Sequence, residues 1–107
     1  MNEVRNTFQN KPAYRYLRES DKLPRTYELG ADPIARVKLF NPTGAGTWYV
    51  AGYDPEDQVA YGAASIHEFE IGSIWLPELI EFRGRMGLPI ERDLHWKPRP
   101  LSQCEGT

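Results

Sequence analysis

The chain has 107 residues, 40% of them hydrophobic and 26% charged, with a net charge of −2 and an isoelectric point of about 5.7. This size predicts one domain with a modest core, and the weakly acidic balance argues against a general nucleic-acid binder, which is usually basic. The sequence shows no membrane-spanning apolar run and no apolar leader, and the single cysteine, Cys104, allows neither an internal disulfide nor a zinc site. We therefore expect a cytoplasmic protein with no cofactor and no metal.

Charge is segregated along the chain. Residues 1–25 hold six Lys or Arg against three acids, and residues 82–99 hold five against two. Residues 54–81, in contrast, hold seven acids and no Lys or Arg. This pattern predicts one acidic face flanked by basic segments.

The N-terminal part is a polar extension, residues 1–22. Within it, the range Ala13–Glu19 fits either a short docked helix or a mobile tail. Residues 23–29 alternate apolar and polar side chains only in part and contain Pro24, which favours an edge strand or an extended connector.

Four strands are predicted in the middle of the chain, where β-branched and aromatic residues are separated by turn residues. Their ranges are Ile34–Phe40, Thr47–Tyr53, Gln58–Ile66 and Glu68–Ile74. The loop at residues 41–46 joins the first two strands into a hairpin, and Asp54-Pro55 is typical of a type I turn before the third. In the fourth strand, Phe69 and Ile71 are predicted to face the core, with the two glutamates exposed.

One helix is predicted over Trp75–Gly84, because Pro77 suits a first helical turn and Leu79 and Ile80 share the apolar face. A short last strand follows within Pro89–Trp96. The sequence thus predicts an α+β fold: residues 23–98 form a four- to five-stranded, mainly antiparallel sheet with one helix packed on a face, and residues 99–107 form a flexible tail.

Two segments carry a resemblance to a known family. Phe40-Asn41-Pro42 with Thr47-Trp48-Tyr49, and Ile90-Glu91-Arg92-Asp93, make residues 23–98 similar to the domain of unknown function 2958, found in bacteria and often on plasmids, phages and integrated elements. The resemblance implies a mobile-element setting and no particular activity. Two departures from the family pattern stand out: Gly52 replaces an acid before Tyr-Asp, and Trp75 replaces a serine helix cap.

The acidic stretch predicts a docking face for a basic partner, since charge complementarity steers association and aromatic residues anchor it. The predicted partner-binding residues are Asp54, Glu56, Asp57, Tyr61, Glu68, Glu70, Trp75, Glu78 and Glu81. We interpret the chain as a non-enzymatic accessory protein of a mobile element that binds a host or element protein with a basic surface. Inhibition of a host defence system, of the anti-CRISPR or antirestriction type, is the specific form of this hypothesis.

Two alternatives stay open. The first is a small hydrolase or metal-dependent enzyme that uses Asp54, Glu70, Glu91, Asp93 and His95. The second is direct nucleic-acid binding through Arg15, Arg18, Lys22 and Arg25. Arg92 itself has two readings: it belongs to a charged substrate site, or it bridges to a carboxylate such as Glu70 or Asp54 and fixes the last segment to the sheet.

Overall fold

A computed structural model of the protein describes residues 16–107. Its regular elements are strands β1 (Ile34–Ala35), β2 (Val37–Phe40), β3 (Thr47–Asp54), β4 (Val59–Ser65) and β5 (Phe69–Trp75), helix α1 (Leu76–Glu81), and strands β6 (Glu91–Arg92) and β7 (Arg99–Pro100). Short 3-10 turns connect several of them. No helix in the described part of the chain is long and apolar enough to cross a bilayer.

The strands form a five-stranded sheet in the order β5-β4-β3-β2-β6 and a two-stranded sheet of β1 and β7. Every neighbouring pair is antiparallel. The order follows from the sequence, because short loops join β2 to β3, β3 to β4 and β4 to β5, and consecutive strands joined in this way pair as hairpins. With one helix against the sheet, the predicted α+β fold is confirmed.

Helix α1 covers one face of the sheet, here called the helix face. Its residues Leu76, Leu79 and Ile80 are buried together with Val37 and Leu39 from β2. The apolar helical spacing predicted this contact. The helix ends at Glu81, earlier than predicted, because the next residue is already extended.

The N-terminal segment contributes to the same core. Tyr16 and Leu17 are almost completely buried, and the Tyr16 hydroxyl donates a hydrogen bond to the Ile90 carbonyl at 2.8 Å. No α-helix includes residues 16–19, while residues 13–15 of the helix interpretation lie outside the described residues. Residues 23–29 form no strand; they contain a 3-10 turn at Thr26–Glu28.

The C-terminal segment covers the opposite face, here called the tail face. Leu101 and Cys104 are buried there against Tyr49, whose hydroxyl donates to the Thr107 carbonyl at 3.0 Å. Trp96 donates to the Ala35 carbonyl at 2.9 Å. The predicted flexible tail at residues 99–107 is therefore wrong: two buried apolar side chains and strand β7 make this segment part of the fold.

The side-chain alternation of β5 also differs from the prediction. Ile74 faces the helix-face core, whereas Ile71 is 53% exposed on the tail face. Phe69 lies on the tail face as well, and it is only partly buried against Tyr49. Since both alternating sets of β5 contain an isoleucine, the sequence pattern did not determine which set faces the larger core.

Candidate partner-binding groove

An open groove of about 700 Å³ lies on the helix face, where α1 leaves part of the sheet uncovered. It is called the α1 groove below. Its lining residues are Asn41, Ala45, Trp48, Ala64, Ile66, Ser73, Ile74, Trp75, Glu78, Leu79, Glu81 and Phe82.

Small residues keep the floor of the α1 groove empty. Trp48 and Ala64 are cross-strand partners there, and Gly72 of β5 lies diagonally beside Ala64 on the same face. A Cβ atom added to Gly72 would meet no atom within 4 Å. Because Ala64 is small and Gly72 beside it has no side chain, the sheet here can accept apolar side chains from another molecule.

The chain beyond α1 closes one end of the groove. Its course is fixed by the Arg85 backbone N–H, which donates to the Thr43 hydroxyl in the β2–β3 loop at 3.1 Å. An added Cβ on Gly84 would lie 2.4 Å from that hydroxyl, so any larger residue would have to displace the Thr43 side chain. This contact brings Phe82 next to the loop, where it is 39% exposed.

Carboxylates surround the groove. Glu78 and Glu81 line its helical side, and Glu68 and Glu70 line an adjoining hollow of about 360 Å³ that shares Ala64 and Ile66 with it. No Lys or Arg lines either space, and none of the four carboxylates has an ion pair within residues 16–107. The groove therefore combines an apolar floor with carboxylates that no Lys or Arg of residues 16–107 neutralises.

Trp75 stands at the start of α1 without a side-chain cap. The backbone replaces the missing serine: the Leu76 N–H donates to the Gln58 carbonyl at 3.0 Å, and Pro77 has no N–H to satisfy. Trp75 is 55% exposed beside the α1 groove, so this residue is available for contact with another molecule.

The structure does not gather all the predicted partner-binding residues. Glu68, Glu70, Trp75, Glu78 and Glu81 line the α1 groove or the hollow beside it. The remaining predicted residues, Asp54, Glu56, Asp57 and Tyr61, line neither space. The single acidic face thus divides into the groove and a separate group near the β3–β4 turn.

Two of the separate carboxylates have internal partners. Asp54 accepts hydrogen bonds from the Thr26 backbone N–H at 3.0 Å and from its hydroxyl at 2.6 Å, and these bonds lower the pKa of the Asp54 carboxyl. Glu56 pairs with Arg25 at 2.6 Å. Its own backbone N–H and then Arg25 lower the pKa of Glu56. These two acids secure the segment at residues 25–28 to the turn.

Tyr61 and Asp57 occupy other positions. Tyr61 lies on the tail face, where it packs against the buried Tyr49 cluster, so it is not an anchor for the α1 groove. Asp57 is an exposed turn residue whose N–H donates to the Asp54 carbonyl at 3.3 Å.

Substitution of Asp54 by alanine should lower the free energy of unfolding by about 1 kcal/mol at neutral pH, because two hydrogen bonds to a carboxylate are lost. The folded-state pKa lies below the ordinary value of 3.8, so the carboxylate stabilises the fold fully above that value and less as the pH falls through the lowered pKa. Urea unfolding at pH 7 and pH 3 should therefore show a deficit that shrinks in acid. Asp57→Ala, which removes an exposed carboxylate, is the matched control; an equal loss in both variants would contradict this role.

The residues predicted for an enzyme active site do not lie together in the structure. Glu70 is in β5 and Glu91 in β6, at opposite edges of the sheet and roughly 19 Å apart for four strand spacings. Asp93 lies 3.7 Å from Lys38 and accepts the His95 backbone N–H at 2.9 Å. Among the described residues, no three His, Cys, Asp or Glu side chains are grouped as metal ligands would be. This particular carboxylate and histidine set therefore forms no common site.

The basic N-terminal set is also mixed with acids. Arg15 lies outside the described residues. Arg18, Lys22 and Arg25 line a cleft of about 270 Å³ that also contains Glu19 and Glu28. A surface that alternates cations with carboxylates provides a poor track for phosphates.

Arg92 has a structural role. Its guanidinium pairs with both carboxylate oxygens of Asp21, at 2.8 and 2.5 Å, and also donates to the Tyr16 carbonyl at 2.7 Å. The prediction that Arg92 bridges to a carboxylate is therefore confirmed, but the predicted partners Glu70 and Asp54 are wrong. The pair joins β6 to the N-terminal segment across more than 70 residues of sequence.

Trp48, Leu79 and Phe82 were not predicted as site residues, although they supply the apolar part of the α1 groove. Each belongs to a predicted strand or helix whose apolar residues are equally consistent with the hydrophobic core. In the run of small residues at 62–64, Ala64 lines the groove, whereas Gly62 allows the close approach of β3 and Ala63 is buried on the tail face, so the run did not single out the groove.

The fold and groove define a class: a small α+β protein with an apolar, acid-rimmed groove between its helix and its sheet. The chain belongs to the family described as "Protein of unknown function (DUF2958)", whose model matches residues 11–104. This match confirms the predicted family. No curated protein and no solved structure matches the chain significantly.

Proposed function

We propose that this protein is a non-enzymatic binding module whose α1 groove receives a basic, amphipathic segment of a partner protein. The observation that carries the proposal is the pairing of an apolar floor with four carboxylates that have no ion pair in the described part of the chain. Carboxylates kept on both sides of an apolar groove repel one another, and a cationic ligand relieves that cost.

The two halves of the groove have separate roles in this proposal. Trp48, Ile66 and Phe82 offer partly exposed apolar and aromatic surface, which supplies most of the affinity when it is buried. Glu70, Glu78 and the neighbouring acids speed the approach of a positive segment and repel anionic ones, including nucleic acid. The expected ligand therefore has Lys or Arg on one side and bulky apolar residues on the other.

The resemblance to a family found on plasmids, phages and integrated elements motivates the biological form of the proposal. We propose an accessory protein that acts in the cytoplasm on a host or element protein with a basic surface. A host defence protein that binds nucleic acid is the partner class we favour, because its phosphate-binding surface would supply the cations. Inhibition of the anti-CRISPR or antirestriction type would then result from occupation of that surface.

Reversal of the charges at Glu78 and Glu81 to lysine should weaken binding of a basic amphipathic peptide by about tenfold or more, since two favourable charges become repulsive. The probe is a synthetic peptide in which Lys and Leu follow helical spacing, with a Glu-for-Lys peptide as its counterpart. Binding is measured by calorimetry and by tryptophan fluorescence, since Trp48 and Trp75 line the groove.

The matched control for this reversal is Glu91→Lys with Glu105→Lys, two exposed carboxylates outside the groove. The proposal requires the control to bind like the parent chain. Equal weakening in both double variants would show only a general charge effect, and equal affinity for the acidic peptide would contradict the proposal outright.

A second variant tests the floor rather than the charge. Gly72→Val places methyl groups in open space, and the glycine does not occupy a left-handed conformation, so the fold should be retained. Peptide affinity should nevertheless fall, because the branched side chain would project from the same face of the sheet, diagonally beside Ala64, which lines the groove. Unchanged affinity in a folded Gly72→Val protein would place the ligand elsewhere.

A further inference from the structure

Strand β5 leaves one edge of the main sheet open within the described residues. It pairs with β4 along all seven of its residues, and no described strand pairs with its other side. The opposite edge is formed by β6, which has only two residues. Within residues 16–107, the β5 edge is therefore the long strand edge with no partner strand.

The register determines which backbone groups point outward. The Leu76 N–H donates to the Gln58 carbonyl, and the pairing continues without a shift from Val59↔Trp75 to Ser65↔Phe69. In an antiparallel ladder, hydrogen-bonded and non-hydrogen-bonded pairs alternate. The N–H and C=O groups that face away from β4 consequently belong to the following residues: Phe69, Ile71, Ser73 and Trp75.

Natural edge strands are usually protected by lysine, proline, a bulge or short length. Strand β5 lacks lysine, proline and a bulge: its sequence is FEIGSIW, its register is regular, and Glu70 is its one charged side chain. Ile71 and Trp75 are also 53% and 55% exposed beside this edge. An unprotected edge with exposed apolar side chains indicates a contact surface.

The strand is complementary to itself. A two-fold axis at Gly72 would pair the two chains antiparallel, with Phe69 opposite Trp75 and Ile71 opposite Ser73 of the other copy. This register uses every outward backbone group, giving about eight hydrogen bonds, and places Glu70 opposite Ile74 rather than opposite another acid. Shifting the axis to Ile71 or Ser73 would leave outward groups of the strand unpaired.

We propose that two copies of this chain associate through their β5 edges, centred on Gly72, to form one continuous antiparallel sheet. The isologous arrangement is the commonest one for homodimers. Because a single strand pair with four exposed apolar side chains buries little area, the dimer should be weak, with dissociation in the micromolar range. The association uses the backbone edge of β5, whereas the ligand proposed for the α1 groove lies on the helix face; Trp75 borders both.

A symmetric disulfide tests the register. Gly72→Cys puts one thiol on each side of the axis in a non-hydrogen-bonded pair, with Cα atoms about 4.5 Å apart, within the range for a disulfide. The native Cys104 is buried and burial raises the pKa of its thiol, so it should not compete. Mild oxidation of the full chain should therefore give a covalent dimer.

Glu70→Cys is the matched control on the same strand and face. In the proposed register its Cα lies about 14 Å from that of its copy, too far for a disulfide. Crosslinking of Gly72→Cys but not of Glu70→Cys is the expected result. Equal crosslinking of both, or of neither, overturns the proposal.

Sedimentation equilibrium of the chain without added cysteine gives the second measurement. Ile71→Lys and Ser73→Pro should each weaken dimerisation by about tenfold or more, through charge repulsion and loss of an outward N–H respectively. Leu94→Lys, an exposed leucine near the other edge, should leave it unchanged. A parent chain that stays monomeric at hundreds of micromolar, or a dimer that persists in both folded β5 variants, contradicts the proposal.

Discussion

Replacement of Gly62 by alanine is expected to cost on the order of 4 kcal/mol, a large fraction of the roughly 5–15 kcal/mol that stabilises a typical domain. The added Cβ would lie 1.8 Å from the Tyr49 carbonyl oxygen, 2.9 Å from its carbonyl carbon and 3.1 Å from the Val50 Cα. All three atoms are backbone of β3, which cannot rotate away as a side chain would. The irregular register between Val50 and Gly52 brings β3 close to Gly62 at this point.

The cross-strand partner supplies the control for this substitution. Gly72 pairs directly with Gly62, yet a Cβ on Gly72 would meet nothing within 4 Å. Gly72→Ala should therefore be neutral or stabilise the fold by up to about 1 kcal/mol, since the unfolded chain loses entropy. Thermal and urea unfolding of both variants distinguish these outcomes. A folded Gly62→Ala protein with parental stability would mean that β3 and β4 do not approach as described.

The central sheet was predictable because its signals are local. Each strand from Val37 to Trp75 is rich in β-forming residues and is joined to the next by a short loop of turn residues. Alternation within a strand proved less informative in β5, where isoleucines occur in both sets of side chains. Only the contact with α1 decides that Ile74 and not Ile71 is buried.

The two chain ends were harder to predict, since their order depends on distant partners. The C-terminal segment contains prolines and polar residues, which are typical of a mobile tail, and the apolar face it covers belongs to β3 and β4. Tyr16 is likewise held by the carbonyl of Ile90, 74 positions along the chain. Such contacts have no signature in a local window.

The candidate site was predicted only in part, because its composition also depends on contacts between residues far apart in sequence. Counting charge along the sequence placed seven acids in one stretch, but the β3–β4 turn and the hairpins direct them to different sides of the molecule. Asp54 and Glu56 acquire partners from residues 25–26. Those near Glu78 stay unpaired in the described structure and come to surround apolar side chains that the charge pattern did not identify.

Substitution of Asp21 by alanine should also destabilise the fold strongly. We expect it to lower the free energy of unfolding by about 3 kcal/mol. The Asp21 and Arg92 side chains are 8% and 15% exposed, so the guanidinium that loses its partner stays largely out of water. Asp21 also accepts the Arg18 backbone N–H at 2.7 Å, so the N-terminal segment loses a second attachment. Urea unfolding followed by circular dichroism should give a lower midpoint with an unchanged dependence on denaturant.

The double variant Asp21→Ala with Arg92→Met identifies the source of this loss. If an unpaired buried charge dominates, removal of the guanidinium should restore part of the stability, and the double variant should be more stable than Asp21→Ala alone. Asp57→Ala, at an exposed carboxylate, should change stability by less than about 0.5 kcal/mol. An Asp21→Ala protein as stable as Asp57→Ala would show that the ion pair does not hold β6 to the N-terminal segment, and that Tyr16 and Leu17 alone keep the segment in place.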